Sequence, residues 1–323
     1  MRALLTGITG QDSSYMADLL LEKGYEVWGL IRRSASPNHW RIEHIKNKLK
    51  LIEGDLTDQS SLDNAIKTSQ PDEVYNFGAQ SFVQYSFQAP LATVDATGVG
   101  ALKLFEAVRH YKKDAKVFQA STSEQFGKIQ ESPQNEKTRF YPRSPYGCAK
   151  AFAHHTAVNY REAYNMHISC GIMFNHESPR RGLEFVTRKI TSGIARIKLG
   201  LQDKIVLGNL NASRDWSHAK DMVRGAWLML QQPKPDDFVL ASNDTHTVKQ
   251  WLEKACEIAG VHYWDMYEQS PTMERQSEVD YLRGDYSKAE KILGWKPTVN
   301  FEQLVEEMVD ADYEALSHNS MPR

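Results

Sequence analysis

The sequence contains few cysteines and no long apolar run. Its three cysteines, Cys148, Cys170 and Cys256, show no metal-ligand spacing. We therefore expect free thiols in a reducing cytoplasm, and we expect no structural disulfides. No apolar stretch reaches the roughly eighteen residues that a membrane helix needs, and the chain begins without a signal-peptide pattern. These absences predict a cytoplasmic protein without a membrane partner.

An excess of charge of one sign is also missing. The 39 basic and 41 acidic residues among 323 give a formal net charge of −2, and there is no basic tract. This balance excludes the electrostatic footprint of a nucleic-acid-binding protein. The histidines include the adjacent pair His154 and His155. Neighbouring positions on a helix point in different directions, so we predict no metal site there.

The N-terminal stretch has the spacing of a dinucleotide-binding loop. A short strand over residues 3–6 is followed by Gly7, Gly10 and Ser13, and then by a helical pattern that ends at Gly24. In this context the first glycine forms the turn, the second lets the backbone approach a pyrophosphate, and the third small residue packs the helix on the strand. The candidate cofactor-binding residues of this loop are Gly7, Thr9, Gly10, Gln11 and Asp12.

Two arginines follow the second predicted strand, residues 27–31. An NAD enzyme carries an acidic residue here for the ribose 2′-hydroxyl. This chain has Arg32 and Arg33 instead, and a guanidinium matches a phosphate in charge and geometry. The pair predicts NADP as the cofactor. A solvated basic pair without a ligand is the alternative.

Strands and helices alternate through the first half of the chain. Further strands are predicted over residues 49–53, 74–79, 117–120 and 168–174, with helices over 59–69 and 90–111. This alternation predicts an α/β fold with a Rossmann-type, doubly wound parallel sheet. Residues near the carboxyl ends of the third and fourth strands are further candidates, because ligands bind at that edge of the sheet. They are Asp55, Leu56, Phe77 and Gln80 for the cofactor and Ser81 for the substrate.

The pattern changes from Asn175 onward. Residues 175–182 form a predicted polar turn, and a helix runs from Phe185 to about Leu199. Strands are predicted over 204–207 and 237–241, and the remainder is mostly helical. We therefore predict two domains: a cofactor domain over residues 1–174, to which residues 212–246 return, and a smaller, mostly helical substrate domain over 175–323. The substrate is expected between them.

The stretch from Val117 to Lys150 is the predicted catalytic centre. Hydroxyl and carboxylate side chains, Ser121 to Glu124, follow a buried strand. Ser144 and Pro145 are a helix-start signal, which places Tyr146 and Lys150 four residues apart on one helical face. An ammonium group near a phenol favours the phenolate, so Lys150 is expected to lower the pKa of Tyr146. The phenolate could then remove a hydroxyl proton while hydride leaves the same carbon.

These motifs carry a family resemblance. The glycine loop, Thr122-x-Glu124 and Tyr146-x-x-x-Lys150 resemble the extended short-chain dehydrogenase/reductases. The stretches T-G-I-T-G-Q-D, N-H-E-S-P-R-R-G and V-T-R-K-I resemble, more narrowly, the GDP-mannose 4,6-dehydratase family. The likeness runs from the first strand to about Asp312. It departs from the family pattern at Ser13 and Ser217, which replace glycines, and after Arg275, where a proline is missing.

The resemblance implies a redox-neutral lyase of GDP-fucose or other deoxysugar biosynthesis. Tyr146 would take the C4 hydroxyl proton of GDP-mannose while NADP⁺ accepts the C4 hydride, and Thr122 would bind the C4 oxygen. Glu124 would remove the C5 proton, the C6 hydroxyl would leave as water, and hydride would return to C6. Lys150 would hold the ribose. Ser123 stands where related dTDP-glucose dehydratases carry a separate acid, which leaves Glu124 to serve as both base and acid.

The resemblance also implies substrate contacts and an assembly. Asn175, Lys189, Arg214 and Arg275 would face the diphosphate and ribose, with Glu278 near guanosine or its sugar. A loop over residues 33–41, which contains Trp40, would reach the cofactor of a neighbouring subunit. We expect a homotetramer built as a dimer of dimers.

Three alternatives remain open at this point. One is the same reaction on another GDP-sugar, such as a GDP-manno-heptose, because one extra carbon changes only the pocket shape. Another is an NADP-dependent nucleotide-sugar reductase or epimerase, which would not need Glu124 as a base. The third is a non-catalytic NADP-binding sensor, which would not need the complete set of Thr122, Glu124, Tyr146 and Lys150.

Overall fold

A computed structural model describes residues 1–262, 266–270, 277, 279 and 281–318. The strands are β1 (Arg2–Thr6), β2 (Glu26–Ile31), β3 (Lys50–Glu53), β4 (Glu73–Asn76), β5 (Lys116–Thr122), β6 (Ile168–Met173), β7 (Asn175–Glu177), β8 (Ile205–Leu207), β9 (Ser213–His218), β10 (Phe238–Leu240), β11 (Thr245–Thr247) and β12 (Tyr267–Gln269). The helices are α1 (Gln11–Glu22), α2 (Gln59–Ser69), α3 (Val83–Gln88), α4 (Pro90–Val94), α5 (Gly100–Tyr111), α6 (Pro145–Tyr164), α7 (Val186–Lys198), α8 (Ala219–Gln231), α9 (Val248–Ala259), α10 (Ser287–Leu293) and α11 (Phe301–Ser317).

Seven parallel strands form the central sheet in the order β10-β6-β5-β4-β1-β2-β3. The order reverses between β1 and β4, which is where a doubly wound sheet leaves a crevice at its carboxyl edge. Strand β10 comes from late in the chain and pairs with β6, with Phe238 opposite Gly171. The predicted fold class is confirmed.

Both faces of this sheet are covered by helices, and most of its strand residues are buried. On one face α1 and α8 bury Leu5, Met16 and Met222 in a common core. On the other face α2, α5 and α6 bury Leu4 and Phe105. The two layers fix the sheet and leave its carboxyl edge for polar side chains.

The C-terminal half has its own apolar core. Helices α7, α9 and α11 pack together around Trp216, Trp251 and Phe301. Strand β9 joins this half to the rest by pairing in parallel with β7 and antiparallel with β11. None of the helices in the described part of the chain is long and apolar enough to cross a membrane.

Three local predictions differ from the structure. Asn175–Glu177 was predicted as a polar turn but is a strand, because its backbone pairs with Trp216 to His218. Ser213–His218 is likewise a strand, although the sequence analysis predicted none there. The helix predicted over residues 90–111 contains a π-helical turn, Asp95–Val99.

Candidate active site

A cavity of about 1070 Å³ lies at the carboxyl edge of the sheet and extends to α7 and β9. It is lined by residues from both halves of the chain. The predicted cofactor residues on its wall are Gly7, Thr9, Gly10, Gln11, Asp12, Arg32, Asp55, Leu56, Phe77 and Gln80. The predicted catalytic residues on its wall are Thr122, Ser123, Glu124, Tyr146 and Lys150, and the predicted substrate residues are Ser81, Asn175, Lys189 and Arg214.

One described candidate is not on this wall. Arg33 is exposed and does not line the cavity. Arg275 and Glu278 lie outside the described residues. The structure therefore brings together the cofactor, catalytic and substrate candidates that it describes, apart from Arg33.

The glycine loop forms a close-fitting cradle. Gly7 has a φ of +66°, and a Cβ at this position would lie 3.0 Å from the Cα of Gly78. Gly10 is the N-cap of α1, whose N-terminus faces the cavity. Ser13 is fully buried and donates a hydrogen bond from Oγ to the Thr6 carbonyl oxygen at 2.8 Å. Both the left-handed glycine turn and the small third residue fit backbone contact with a pyrophosphate.

The catalytic candidates meet where β5 ends and α6 begins. The Ser144 hydroxyl accepts a hydrogen bond from the Gly147 amide at 3.0 Å and Pro145 starts the helix, as the sequence predicted. This start places the Tyr146 phenol beside the Thr122 side chain, which acts to lower the phenol's pKa. Thr122 Oγ1 also accepts from the backbone amide of Glu124 at 3.3 Å. A phenol, a hydroxyl and a carboxylate-bearing residue thus converge on one end of the cavity.

Burial dominates the electrostatics of Tyr146 and Lys150. Burial raises the pKa of Tyr146 well above its usual value, whereas it lowers the pKa of Lys150 to about 8. Lys150 Nζ donates to the Ala120 carbonyl oxygen at 2.8 Å and lies 5.9 Å from the centre of the Tyr146 ring. In the protein alone, desolvation of the phenolate outweighs the groups that lower the Tyr146 pKa. That Lys150 lowers this pKa stays a prediction.

His176 is a cavity residue that the sequence reasoning missed. Its Nε2 lies 3.0 Å from Asp12 Oδ1, and its Nδ1 lies 2.7 Å from the Phe174 carbonyl oxygen. Burial acts to lower the His176 pKa, but the charge and hydrogen bond of Asp12 outweigh it and raise the pKa. The same contact lowers the Asp12 pKa to about 2, against the opposing effect of burial. His176 follows Asn175 directly in the N-H-E-S-P stretch, which was the available signal.

Two arginines that were not predicted as site residues also line the cavity. Arg41 donates from Nη1 to the Thr9 carbonyl oxygen at 3.1 Å, next to the glycine loop. Arg181 forms an ion pair with Glu177 at 3.1 Å. Together with Lys189 and Arg214 they give the cavity the cationic wall that the near-neutral composition did not indicate.

A polar group lies behind the catalytic strand. His154 Nδ1 is 2.9 Å from Ser121 Oγ, and burial lowers the pKa of His154 to about 4. Ligand atoms of His154, Cys170 and Asp237 lie within 4.8 Å of one another. Asp237 accepts two hydrogen bonds of 2.9 Å from Arg161, so its charge is already neutralised. The arrangement is satisfied by protein groups and does not require an ion.

Comparison with known proteins assigns the family. The model of the family described as GDP-mannose 4,6 dehydratase matches residues 4–308. GDP-mannose 4,6 dehydratase 1 from Arabidopsis thaliana is 53% identical and is aligned over 97% of this chain and 90% of its own. The Homo sapiens GDP-mannose 4,6 dehydratase is 49% identical, with coverages of 98% and 92%. The Yersinia enterocolitica enzyme of that name is 46% identical, with coverages of 99% and 96%.

Solved structures agree with the fold. A dTDP-glucose 4,6-dehydratase from Streptomyces venezuelae, solved with NAD and TYD, gives a TM-score of 0.89 at 21% identity over 98% of both chains. The Pseudomonas aeruginosa protein RMD, solved with NADPH, gives 0.81 at 21% identity over 97% of this chain and 99% of its own. At these identities the likeness establishes the fold alone.

Proposed function

The chain belongs to the GDP-mannose 4,6-dehydratase family, and we propose that it converts GDP-mannose to GDP-4-keto-6-deoxymannose and water with NADP⁺ as a recycled oxidant. The observation that carries the proposal is the meeting of Thr122, Glu124 and Tyr146 at one end of a cavity whose other wall is the glycine loop. Mass spectrometry of the product from GDP-mannose tests it. Loss of one water, without net consumption of NADPH, is the expected result.

The residues present fit a nicotinamide dinucleotide. The Gly7 turn leaves no room for a Cβ, and the N-terminus of α1 offers backbone amides to a pyrophosphate. Arg32 lines the same cavity beyond β2 and supports NADP over NAD, because its guanidinium suits a 2′-phosphate. When bound, the cofactor supplies the acceptor for the C4 hydride and the hydride that C6 finally receives.

Tyr146 is the proposed base for the C4 hydroxyl. Tyr146 is buried and lines the cavity together with Thr122, so the same two groups can bind the C4 oxygen. Because burial raises the Tyr146 pKa, the phenolate needs positive charge in the loaded site. Lys150 supplies part of it, and the oxidised nicotinamide ring supplies the rest. Lys150 is also placed to bind the ribose.

Glu124 is the proposed base and acid of the elimination. Its side chain is 6% exposed and lines the cavity beside Thr122. Once C4 is a ketone, the C5 hydrogen is acidic and the carboxylate can remove it. The protonated carboxyl can then protonate the departing C6 hydroxyl. Ser123 has no acidic group, so both steps fall to Glu124.

The nucleotide part of the substrate is proposed to lie against the C-terminal half. Asn175, Lys189 and Arg214 line that side of the cavity, and Ser81 lies on the opposite wall. Cationic side chains at these positions match a diphosphate. We propose that Arg275 and Glu278 complete this site, with residues 1–174 and about 212–246 as the cofactor domain and the remainder as the substrate domain.

We also propose a cytoplasmic homotetramer. Four large apolar side chains are exposed on α3, α4 and α6, which pack against each other. They are Tyr85, Leu91, Val94 and Phe152, with Leu91 85% exposed. Exposed apolar residues concentrated on neighbouring helices are typical of subunit interfaces. Trp40, in the proposed loop to a neighbouring subunit, is partly exposed and lies 4.4 Å from the Arg41 guanidinium.

A further inference from the structure

Residues 178–182, which we call the bridging loop, are tied to the cofactor half of the protein. Ser178 Oγ donates to Oε1 of Gln11, the first residue of α1, at 2.8 Å. Arg180 forms an ion pair with Asp18 of α1 at 2.7 Å. Arg41 Nε donates to the Arg180 carbonyl oxygen at 2.6 Å. Side chains of α1 and of the segment after β2 thus fix one side of the loop.

The other side of the bridging loop is held by a buried arginine of α7. Arg188 Nη1 donates to the carbonyl oxygens of Pro179 and Arg181, the latter at 3.0 Å. Its Nε and Nη2 bind the Asp312 carboxylate of α11 at 2.7 and 2.6 Å. Thr191 Oγ1 donates to the same carboxylate at 2.7 Å. Arg188 is 4% exposed and Asp312 is fully buried, so the guanidinium has one fixed orientation.

The bridging loop carries a charge into the cavity. The Arg181 guanidinium lines the cavity, lies 3.6 Å from the Phe185 ring centre and pairs with Glu177. Its positive charge opposes the effect of burial on the Tyr146 pKa. The position of this guanidinium should therefore affect both the affinity of the cavity for the cofactor and the pKa of Tyr146, the proposed base.

We propose that Arg188 is a positioning residue. Its side chain, held in place by Asp312, fixes the bridging loop, and the loop in turn places Arg181 in the active-site cavity. The inference rests on the proposed function, because it takes NADP(H) as the ligand beside the loop. Lysine at position 188 would retain the charge but could not bind two carbonyls and a carboxylate at once, since it lacks the planar fork. The loop would then lose its hold on the C-terminal side.

The test compares NADPH affinity and the pH profile of kcat/KM in Arg188→Lys, Asp312→Asn and the unchanged protein. We expect NADPH to bind about tenfold more weakly in either variant, the scale of one lost charge-assisted hydrogen bond. We expect the acid limb of kcat/KM to move to higher pH. The negative charges of Glu124 and Asp12 would still raise the Tyr146 pKa, whereas the positive charge of Arg181, which lowers it, would be partly lost. In the double variant, the loss of NADPH affinity should be smaller than the sum of the two single losses, since both changes release the same loop.

Arg161→Lys is the matched control. It breaks another bidentate ion pair, the one between Arg161 and Asp237 at 2.9 Å. This pair does not contact the bridging loop. It should lower Tm without changing NADPH affinity or the acid limb. If Arg188→Lys does not fold, Thr191→Val can replace it, because it keeps the charges of Arg188 and Asp312. It should change NADPH affinity and the acid limb in the same directions but by smaller amounts.

Two outcomes separate the inference from the proposed function. If the unchanged protein binds no NADPH, the proposed function fails. If it binds NADPH and the variants bind equally well with an unmoved acid limb, the function stands and the positioning role of Arg188 is refuted.

Discussion

Asp12 and His176 form a partly buried ion pair between positions 164 residues apart, with Oδ1 and Nε2 separated by 3.0 Å. The other ring nitrogen of His176 faces the Phe174 carbonyl oxygen at 2.7 Å. A ring with an acceptor at each nitrogen satisfies both only as the imidazolium. The pair therefore joins the first turn of α1 to β7 through two opposite charges.

The stability conferred by this pair should depend on pH at both ends. The Asp12 pKa falls from 3.8 to about 2 on folding, so its contribution is present above pH 3.8 and is lost as pH falls through 2. The His176 pKa rises above 6.5 on folding, so its contribution is present below pH 6.5 and is lost as pH rises through the folded value. Asp12→Asn should therefore lower the free energy of unfolding by about 2 kcal/mol between these limits.

Urea unfolding of Asp12→Asn and the unchanged protein over a range of pH measures this difference. The difference should shrink below pH 3.8 and above the folded pKa of His176. A constant difference at every pH would show that Asp12 contributes packing and not charge.

Cofactor choice is expected to depend on the arginines after β2. Replacing Arg32 and Arg33 with alanine should weaken NADP binding by roughly 2–4 kcal/mol, the scale of charged hydrogen bonds to a 2′-phosphate. NAD binding should change little. Since Arg32 lines the cavity and Arg33 does not, Arg32→Ala alone should account for most of the loss. Titration of each variant with both cofactors measures it, and equal weakening for NADP and NAD would contradict the assignment.

Assembly is expected to depend on the exposed apolar residues of α3, α4 and α6. Leu91→Asp places a charge at a side chain that is 85% exposed in the single chain, and burying that charge in an interface is costly. Light scattering should report a tetramer for the unchanged protein and smaller species for the variant. Ile292→Asp, at an exposed position on α10, is the control and should leave the mass unchanged. A monomer at micromolar concentration with cofactor bound would refute the proposed assembly.

The sequence predictions were accurate for features that depend on local interactions, and they missed features that depend on contacts between distant segments. Tyr146 and Lys150 were placed correctly on one helix because capping by Ser144 and the helical repeat are local properties. The ion pair of Asp12 with His176 could not be found from spacing, since the chain alone does not show which distant segments meet. Strand β7 was missed because three polar residues extend only by pairing with β9. The rise that burial causes in the Tyr146 pKa was not predicted, because a single helix does not reveal burial.

Glu124→Gln separates a dehydratase from a reductase or epimerase. The amide keeps the shape and one hydrogen-bond acceptor, yet it cannot take the C5 proton. Tyr146 and Thr122 are unchanged, so hydride transfer from C4 should survive while water loss falls by a factor of about 10²–10⁴, the usual loss for a general base. Adding GDP-mannose to the variant with bound NADP⁺ should produce the reduced-nicotinamide absorbance, and this absorbance should persist because no C5–C6 alkene forms to take the hydride back.

Tyr146→Phe is the complementary variant. It removes the phenol that accepts the C4 hydroxyl proton, so no reduced-nicotinamide absorbance should appear with the same substrate. The two variants thus stop the reaction on opposite sides of the first hydride transfer, and their spectra should differ although both form little product. If Glu124→Gln releases the 4-keto-6-deoxy product at close to the original rate, Glu124 is not the elimination base. The dehydration would then need another group at C5, and none of the other carboxylates on the described cavity wall, Asp12, Asp55, Glu177 and Glu184, follows β5 as Glu124 does.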